Sequence, residues 1–185
     1  MDKTGEIDII LGCMFSGKTT ELILECKKWF SISKNAICIN YSDDVRYGDD
    51  DYVYSHDKET IPCVKTLILN DLSDELLLKA DIILVNEGQF FPDLIDFCVK
   101  WSEKFNKKIV VAGLDGDFKR NPFGQILDLI PYANSVKKVY AFCSLCKDGT
   151  KAYFSARLSK ESKQIVIGTS NYVAVCRNHY LELNN

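Results

Sequence analysis

The chain has 185 residues, 46% of them hydrophobic and 26% charged, the proportions of an ordinary soluble globular protein. This length suits one domain with a small appendage, and 11% aromatics with a net charge of only −3 exclude disorder as the overall state. The acidic balance, with a pI of about 5.4, argues against binding DNA, RNA or an acidic membrane by bulk electrostatics. No apolar run reaches the roughly 18 residues of a membrane span, and the start Met1-Asp2-Lys3-Thr4 carries no apolar signal segment. The expected location is the cytoplasm.

Residues 6–11 predict a buried strand, and residues 17–33 a helix with Leu22, Ile23, Cys26, Trp29 and Phe30 at helical spacing. Ala36 to Tyr41 predicts a second strand. Residues 42–59 are polar, hold the acidic run Asp49-Asp50-Asp51, and read as a mobile loop with few core residues. A short helix is expected over 70–79 and a strand over Asp81 to Val85. Pro92 suits a helix first turn, and Leu94, Cys98, Trp101 and Phe105 continue that helix at spacings of four, three and four. Ile109 to Ala112 predicts a fourth strand, Phe123 to Ile130 a short helix ending at Pro131, and Val136 to Phe142 a fifth strand. Continuous apolar strands alternating with amphipathic helices indicate an α/β fold, a mostly parallel sheet with helices on both faces. After Phe142 the pattern changes to short segments, turns and clustered cysteines. The expected division is a 1–142 nucleotide-binding domain and a small 143–185 unit stapled by metal.

Five of the eight cysteines (Cys13, Cys26, Cys38, Cys63, Cys98) lie in apolar segments and read as buried free thiols. The other three fall differently. Cys143-x-x-Cys146 and Cys176-x-x-His179 make two ligand pairs separated by 29 residues, each able to form half of a tetrahedral zinc site. The competing reading is two unrelated pairs of reduced thiols.

Gly12-Cys13-Met14-Phe15-Ser16-Gly17-Lys18-Thr19 matches the G-x-x-x-x-G-K-[ST] pattern between a strand and a helix. Glycines let the loop curl so that backbone N–H groups face phosphates, and the helix N-terminus adds its positive dipole end. Lys18 is expected at the β- and γ-phosphates and Thr19 on Mg²⁺. The bland reading is a strand-to-helix turn without ligand. The strand Ile82 to Val85 ends in Asn86-Glu87-Gly88-Gln89. A phosphate-loop enzyme usually places a metal-binding Asp at such a strand end; here Asn86 stands there, with Glu87 beside it as a candidate general base toward a hydroxyl.

Seven blocks in one order, GCMFSGKTTEL (12–22), YSDDVRYG (41–48), His56-Asp57, NEGQFFPDLIDFC (86–98), AGLDGDFKRNPFGQILDLIP (112–131), CSLC (143–146) and NYVAVCRNH (171–179), closely resemble the thymidine kinases of the zinc-containing cellular type. The resemblance covers about residues 6–181 and is strongest to the compact poxviral members. It implies transfer of the γ-phosphate of ATP to the 5′-hydroxyl of thymidine or deoxyuridine. It implies ATP contacts at Gly12 through Thr19, at Asp44, Val45 and Arg46, and at Asn86, Gly88 and Gln89, with Glu87 as catalytic base. Phe118 matches the aromatic that stacks on thymine, and Gln164, Ile165, Val166, Ile167, Gly168 and Tyr172 match the loop closing over the nucleoside. Met14 and Leu114 are expected to wall the thymine methyl group. Zinc on Cys143, Cys146, Cys176 and His179 would anchor that loop. The resemblance further implies a homotetramer, feedback inhibition by thymidine triphosphate and, for a viral chain, the host-cell cytoplasm.

The chain departs from the family pattern at several places. Asn86 stands where an Asp is usual, and Cys13 where a proline is usual. Gly168-Thr169 replaces a Gly-Gly pair in a loop one residue shorter, and two residues are added after Cys146. His179 stands where some relatives carry Cys. Asn86 motivates a second reading, a catalytically weakened nucleotide sensor. A third, a zinc-module nucleic-acid binder with an ATPase core, is opposed by the acidic pI and the lack of a Lys/Arg stripe.

Overall fold

The computed structural model describes residues 4–44, 51–55, 59–159, 164 and 171–184. Its centre is a six-stranded sheet built from β1 (Glu6–Leu11), β2 (Ala36–Tyr41), β5 (Val64–Thr66), β6 (Ile82–Val85), β7 (Lys108–Gly113) and β8 (Ser135–Lys138). The strand order is β5-β2-β6-β7-β1-β8, and every pairing in it is parallel. Side chains on a strand alternate between faces, so these apolar runs feed two cores. Ile9, Leu11, Ile83, Val85, Ile109 and Val111 point into one, shared with Leu94, Phe97 and Trp101. Ile10, Ile82, Leu84, Val110 and Ala112 point into the other, against Leu22, Ile23 and Cys26 of α1 (Lys18–Ser31). Continuous hydrophobic strands are what a sheet covered on both sides requires.

The chain reading needs four corrections. The polar stretch 42–59 holds a strand among its described residues: β3 (Tyr52–Tyr54) pairs antiparallel with β4 (Thr60–Pro62), while 45–50 and 56–58 lie outside the described residues. Val53 and Ile61 close the α1 side of the core. A three-residue strand buries one side chain, too few to register as periodicity. The edge strand β5 escaped notice for the same reason.

The helix expected from Pro92 begins later, as α3 (Leu94–Val99), and widens into a π-helix over Lys100–Lys104. The Asp93 carboxylate caps a different turn, accepting from the Leu69 and Asn70 amides at 3.1 and 2.8 Å. The wider winding seats Trp101 fully buried, stacked on Phe105 at 4.5 Å.

Phe123 to Ile130 forms turns, followed by a 3₁₀ turn over Ile130–Tyr132 that contains Pro131. Gly124 sits there with φ +60°, which interrupts helical winding. The apolar set Phe123, Ile126 and Leu129 is buried nonetheless, which explains why the spacing mimicked a helix.

The fifth strand is broken. Ser135–Lys138 joins the sheet, whereas β9 (Ala141–Phe142) pairs with β10 (Lys151–Ala152). The short helix expected over 70–79 is α2 (Asp74–Leu78). The chain closes with β11 (Phe154–Arg157), antiparallel to β12 (Tyr172–Val175), and α4 (Arg177–Leu183). Among the described residues no helix is long and apolar enough to cross a membrane.

Candidate active site and metal centre

Three connections leave the C-terminal ends of the neighbouring parallel strands β1, β6 and β7, the edge where α/β sheets bind ligands. The first is the phosphate loop. A Cβ on Gly12 would lie 2.5 Å from Ser16 Oγ and 2.8 Å from the Val139 carbonyl oxygen, so only glycine fits. Gly17 enters α1 at φ +82°. Ser16 Oγ donates to the Cys13 carbonyl at 2.7 Å, and Lys18 Nζ donates to the same oxygen at 2.8 Å, drawing the ammonium back across the loop. The Met14 amide donates to Ser155 Oγ at 2.9 Å, which fastens the loop to β11. Cys13 is buried against the Ala152 carbonyl; desolvation raises its thiol pKa and the Lys18 charge works against that rise. Phe15 is exposed, with a left-handed backbone.

The second connection follows β6. Thr19 Oγ1 lies 3.4 Å from Asn86 Oδ1, and Asn86 Nδ2 donates to Asn40 Oδ1 of β2 at 2.9 Å. Glu87 adopts φ +54°, a conformation uncommon outside glycine, and is only 6% exposed. Gln89 Nε2 donates to its Oε2 at 2.5 Å. Gly88 opens a 3₁₀ turn over Gly88–Phe90. The Phe90 ring stacks on Tyr41 at 5.0 Å and meets Phe123 edge-on at 5.3 Å.

The third connection, after β7, begins at the half-buried Leu114, whose amide donates to Gln89 Oε1 at 2.9 Å. Asp117 accepts from the Lys119 and Asn121 amides at 2.8 and 2.9 Å, and from Gln164 Nε2 at 2.9 Å. Phe118 carries the Arg157 guanidinium 3.7 Å from its ring centroid. Arg157 also donates from Nε to the Tyr172 hydroxyl at 3.1 Å, from Nη2 to the same oxygen, and from Nη2 to the Gln164 carbonyl at 2.9 Å. Phe118, Gln164 and Tyr172, singled out separately in the sequence, therefore meet around one buried arginine. A cavity of about 200 Å³ opens alongside, lined by Cys13, Asp115, Asp117, Lys138, Phe154 and Ser155 among others.

Asp44 is half-buried just beyond β2, its amide bonded to the Tyr41 carbonyl. Val45, Arg46, His56, Asp57, Ile165, Val166, Ile167, Gly168 and Thr169 lie outside the described residues. Sequence reasoning missed Asn40, Asp117, Ser155 and Arg157. One signal was available: an arginine and a serine interleaved with Phe154 and Ala156 in a short alternating strand.

The fourth assembly is metal-binding in character. Cys143, Cys146, Cys176 and His179 bring their ligand atoms within 4.8 Å of one another. Cys146 Sγ to Cys176 Sγ is 3.8 Å, and His179 Nδ1 is 3.4 Å from each of the three sulfurs. A tetrahedral ion with Zn–S of about 2.3 Å and Zn–N of about 2.0 Å needs edges of about 3.8 and 3.5 Å, so the set fits zinc. Burial works to raise the Cys143 thiol, yet the backbone amides of Cys146, Cys176 and Leu145 and the His179 ring bring it down to about 6. Desolvation and the neighbouring thiols push Cys146 up to about 11. The Cys143 and Cys176 sulfurs raise His179. Cys176 is the N-cap of α4, and Tyr180 on that helix donates its hydroxyl to the Phe118 carbonyl at 2.7 Å. The cluster thus holds the strand carrying Tyr172 and the helix that braces Phe118.

A parallel sheet with a phosphate loop at the end of β1, and a Cys₃His cluster that could bind zinc, define a nucleotide-binding α/β protein of the phosphate-loop class. The family model described as thymidine kinase matches residues 5–180. A thymidine kinase of rice is 45% identical over 184 residues, covering 96% of this chain and 67% of the relative. That of Yaba monkey tumor virus is 42% identical over 184 residues, 99% and 98% of the two chains. That of vaccinia virus (strain Western Reserve) is 38% identical over 179 residues, 96% and 98%. The chain belongs to the thymidine kinase family and is a phosphotransferase.

Proposed function

We propose that this enzyme transfers the γ-phosphate of ATP to the 5′-hydroxyl of thymidine, and of deoxyuridine, with Glu87 as general base. The observation that carries the reading is the contact between Thr19 and Asn86. It joins the end of the phosphate loop to the residue next to a buried carboxylate. The loop amides, the N-terminus of α1 and Lys18 offer the triphosphate positive charge. Asp44, Val45, Arg46, Gly88 and Gln89 complete the ATP contacts in this reading. The acceptor lies between Met14, Leu114 and Phe118, under a lid of Gln164 to Gly168 and Tyr172.

The chemistry follows from that placement. The 5′-hydroxyl gives its proton to the Glu87 carboxylate as its oxygen bonds to the γ-phosphorus. The bond from that phosphorus to the β,γ-bridging oxygen breaks, and ADP leaves. Phosphoryl transfer asks the protein mainly for alignment and charge. Thr19 Oγ1 and Asn86 Oδ1, hard oxygens 3.4 Å apart, are the donor class Mg²⁺ prefers; the ion, when bound, neutralises charge on the phosphates. Zinc on Cys143, Cys146, Cys176 and His179 is structural, since four protein ligands leave no open position.

The same reading takes residues 1–142 as the nucleotide-binding domain and 143–185 as the zinc and lid unit. It includes a homotetramer, feedback inhibition by thymidine triphosphate, a cytoplasmic site of action and no nucleic-acid partner. The second reading, a nucleotide sensor, rests on the neutral Asn86. ATP-dependent phosphorylation of thymidine, with wild type beside Glu87→Gln, decides between them. Thymidine monophosphate from the wild type and almost none from the variant supports the kinase. No product from a zinc-loaded, ATP-binding wild type overturns it.

A further inference from the structure

Gln89 is 2% exposed, and both ends of its amide are committed within the protein. Oε1 accepts from the Leu114 backbone amide at 2.9 Å, and Nε2 donates to Glu87 Oε2 at 2.5 Å. The two bonds fix the orientation of the amide. Rotating it by half a turn would set an N–H against the Leu114 N–H and a carbonyl against the carboxylate.

The backbone around Gln89 is shaped to admit it. A Cβ on Gly113 would lie 2.5 Å from Gln89 Oε1. A Cβ on Gly124 would lie 2.0 Å from the Gln89 carbonyl oxygen. Gly113 at the end of β7 and Gly124 in the connection that follows it thus make room for one buried glutamine. Glu87 itself is held in a left-handed conformation at φ +54°, which persists only where the surroundings over-determine it.

We infer that Gln89 is a positioning residue for phosphoryl transfer: it fixes the carboxylate plane of Glu87 and locks that carboxylate to the backbone of Leu114. This rests on the reading of Glu87 as the base and is additional to the place of Gln89 beside the triphosphate. An N–H directed at a carboxylate oxygen favours the ionised form, the form that accepts the hydroxyl proton. Leu114 walls the far end of the acceptor pocket in the same reading. One amide therefore sets the spacing between the group that holds the base of the nucleoside and the group that activates its hydroxyl.

The test compares Gln89→Glu, Gln89→Met and Glu87→Gln with wild type over pH 5–9. Gln89→Glu is close in shape and keeps an acceptor for Leu114, but puts a second carboxyl against Glu87. Like charges at that distance raise the shared titration. The acid limb of kcat is therefore expected to move up by about one pH unit or more. Gln89→Met, of similar length and without polar ends, is expected to lower kcat by about 10- to 100-fold. A residue whose side chain does not face the Glu87 carboxylate would leave the acid limb in place. An unchanged acid limb in Gln89→Glu, or a Gln89→Met enzyme with kcat within about threefold of wild type, overturns the inference. Should Gln89→Met fail to fold, the pH profile of Gln89→Glu decides alone. Glu87→Gln separates the two levels: wild-type kcat in that variant defeats the base assignment itself. An inactive Glu87→Gln beside an unaffected Gln89 pair defeats only the role of Gln89.

Discussion

Asn86 and Asn40 form a buried amide pair, with Asn86 Nδ2 donating to Asn40 Oδ1 at 2.9 Å. The bond turns the Asn86 carbonyl oxygen toward Thr19 and leaves the metal side of the phosphate loop with neutral oxygens where a carboxylate is usual. Hard cations prefer carboxylates, so Asn86→Asp is expected to tighten Mg²⁺ about tenfold, or about 1.4 kcal/mol. Calorimetry of ATP binding across a Mg²⁺ titration reads this, together with the Mg²⁺ dependence of turnover. Identical dependence in the two proteins would reject it.

The Cys143, Cys146, Cys176 and His179 cluster holds β12 and α4, and through Tyr180 it braces Phe118. Stripping zinc with a chelator should therefore lower the melting temperature and raise KM for thymidine more than KM for ATP. Thiol titration of the folded protein adds a sharper check. Cys13, Cys26, Cys38, Cys63 and Cys98 are all buried, and desolvation raises the thiols of Cys38 and Cys98 and pushes Cys26 up to about 11. A thiolate is the reactive form. The loaded protein should show almost no fast thiol, and the stripped protein at most three, led by Cys143. Five or more fast thiols after chelation would mean that the sheet had opened as well.

Arg157 is the hub of the cluster proposed for the acceptor side, over Phe118 and bonded to Tyr172 and the Gln164 carbonyl. Its planar fork makes these contacts together, and a lysine cannot reproduce them. Arg157→Lys is expected to raise KM for thymidine about tenfold and leave ATP affinity within about twofold. Tyr172→Phe should show a smaller loss, and the double variant less than the product of the two, because the pair shares a bond. Steady-state kinetics on the four proteins measures it; independent, multiplicative effects would remove Arg157 from the lid.

What the sequence made legible follows from how locally each feature is encoded. The phosphate loop needs eight consecutive residues, and Gly12 and Gly17 declare the backbone that they permit. The four-residue strand Ile82–Val85 was legible because all of its residues are buried. The Cys₃His set was legible as two spaced pairs, although only folding could join them across 29 residues. Asn40 was not legible: it is a polar residue inside the apolar run Ala36–Tyr41, and its partner lies 46 positions away. The widening of α3 into a π-helix was hidden as well. Trp101 and Phe105 keep helical spacing from Leu94 and Cys98 whichever winding carries them.

Gly124 and Gly149 both have positive φ, +60° and +88°, but differ in their surroundings. A Cβ on Gly124 would meet the Gln89 carbonyl oxygen at 2.0 Å and its carbon at 2.8 Å, both backbone atoms. A Cβ on Gly149, in the turn between β9 and β10, would meet nothing within 4 Å. Gly149→Ala therefore carries only the left-handed strain, about 1 kcal/mol. Gly124→Ala carries that strain and must also displace the backbone of Gln89, so its cost should exceed about 3 kcal/mol. Because Gln89 orients Glu87, Gly124→Ala should also lose kcat, whereas Gly149→Ala should keep it. Urea unfolding of both variants, with kcat on the folded fraction, separates strain from displacement. Equal destabilisation would mean that the Gly124 turn relaxes freely, and that its close approach to Gln89 holds nothing in place.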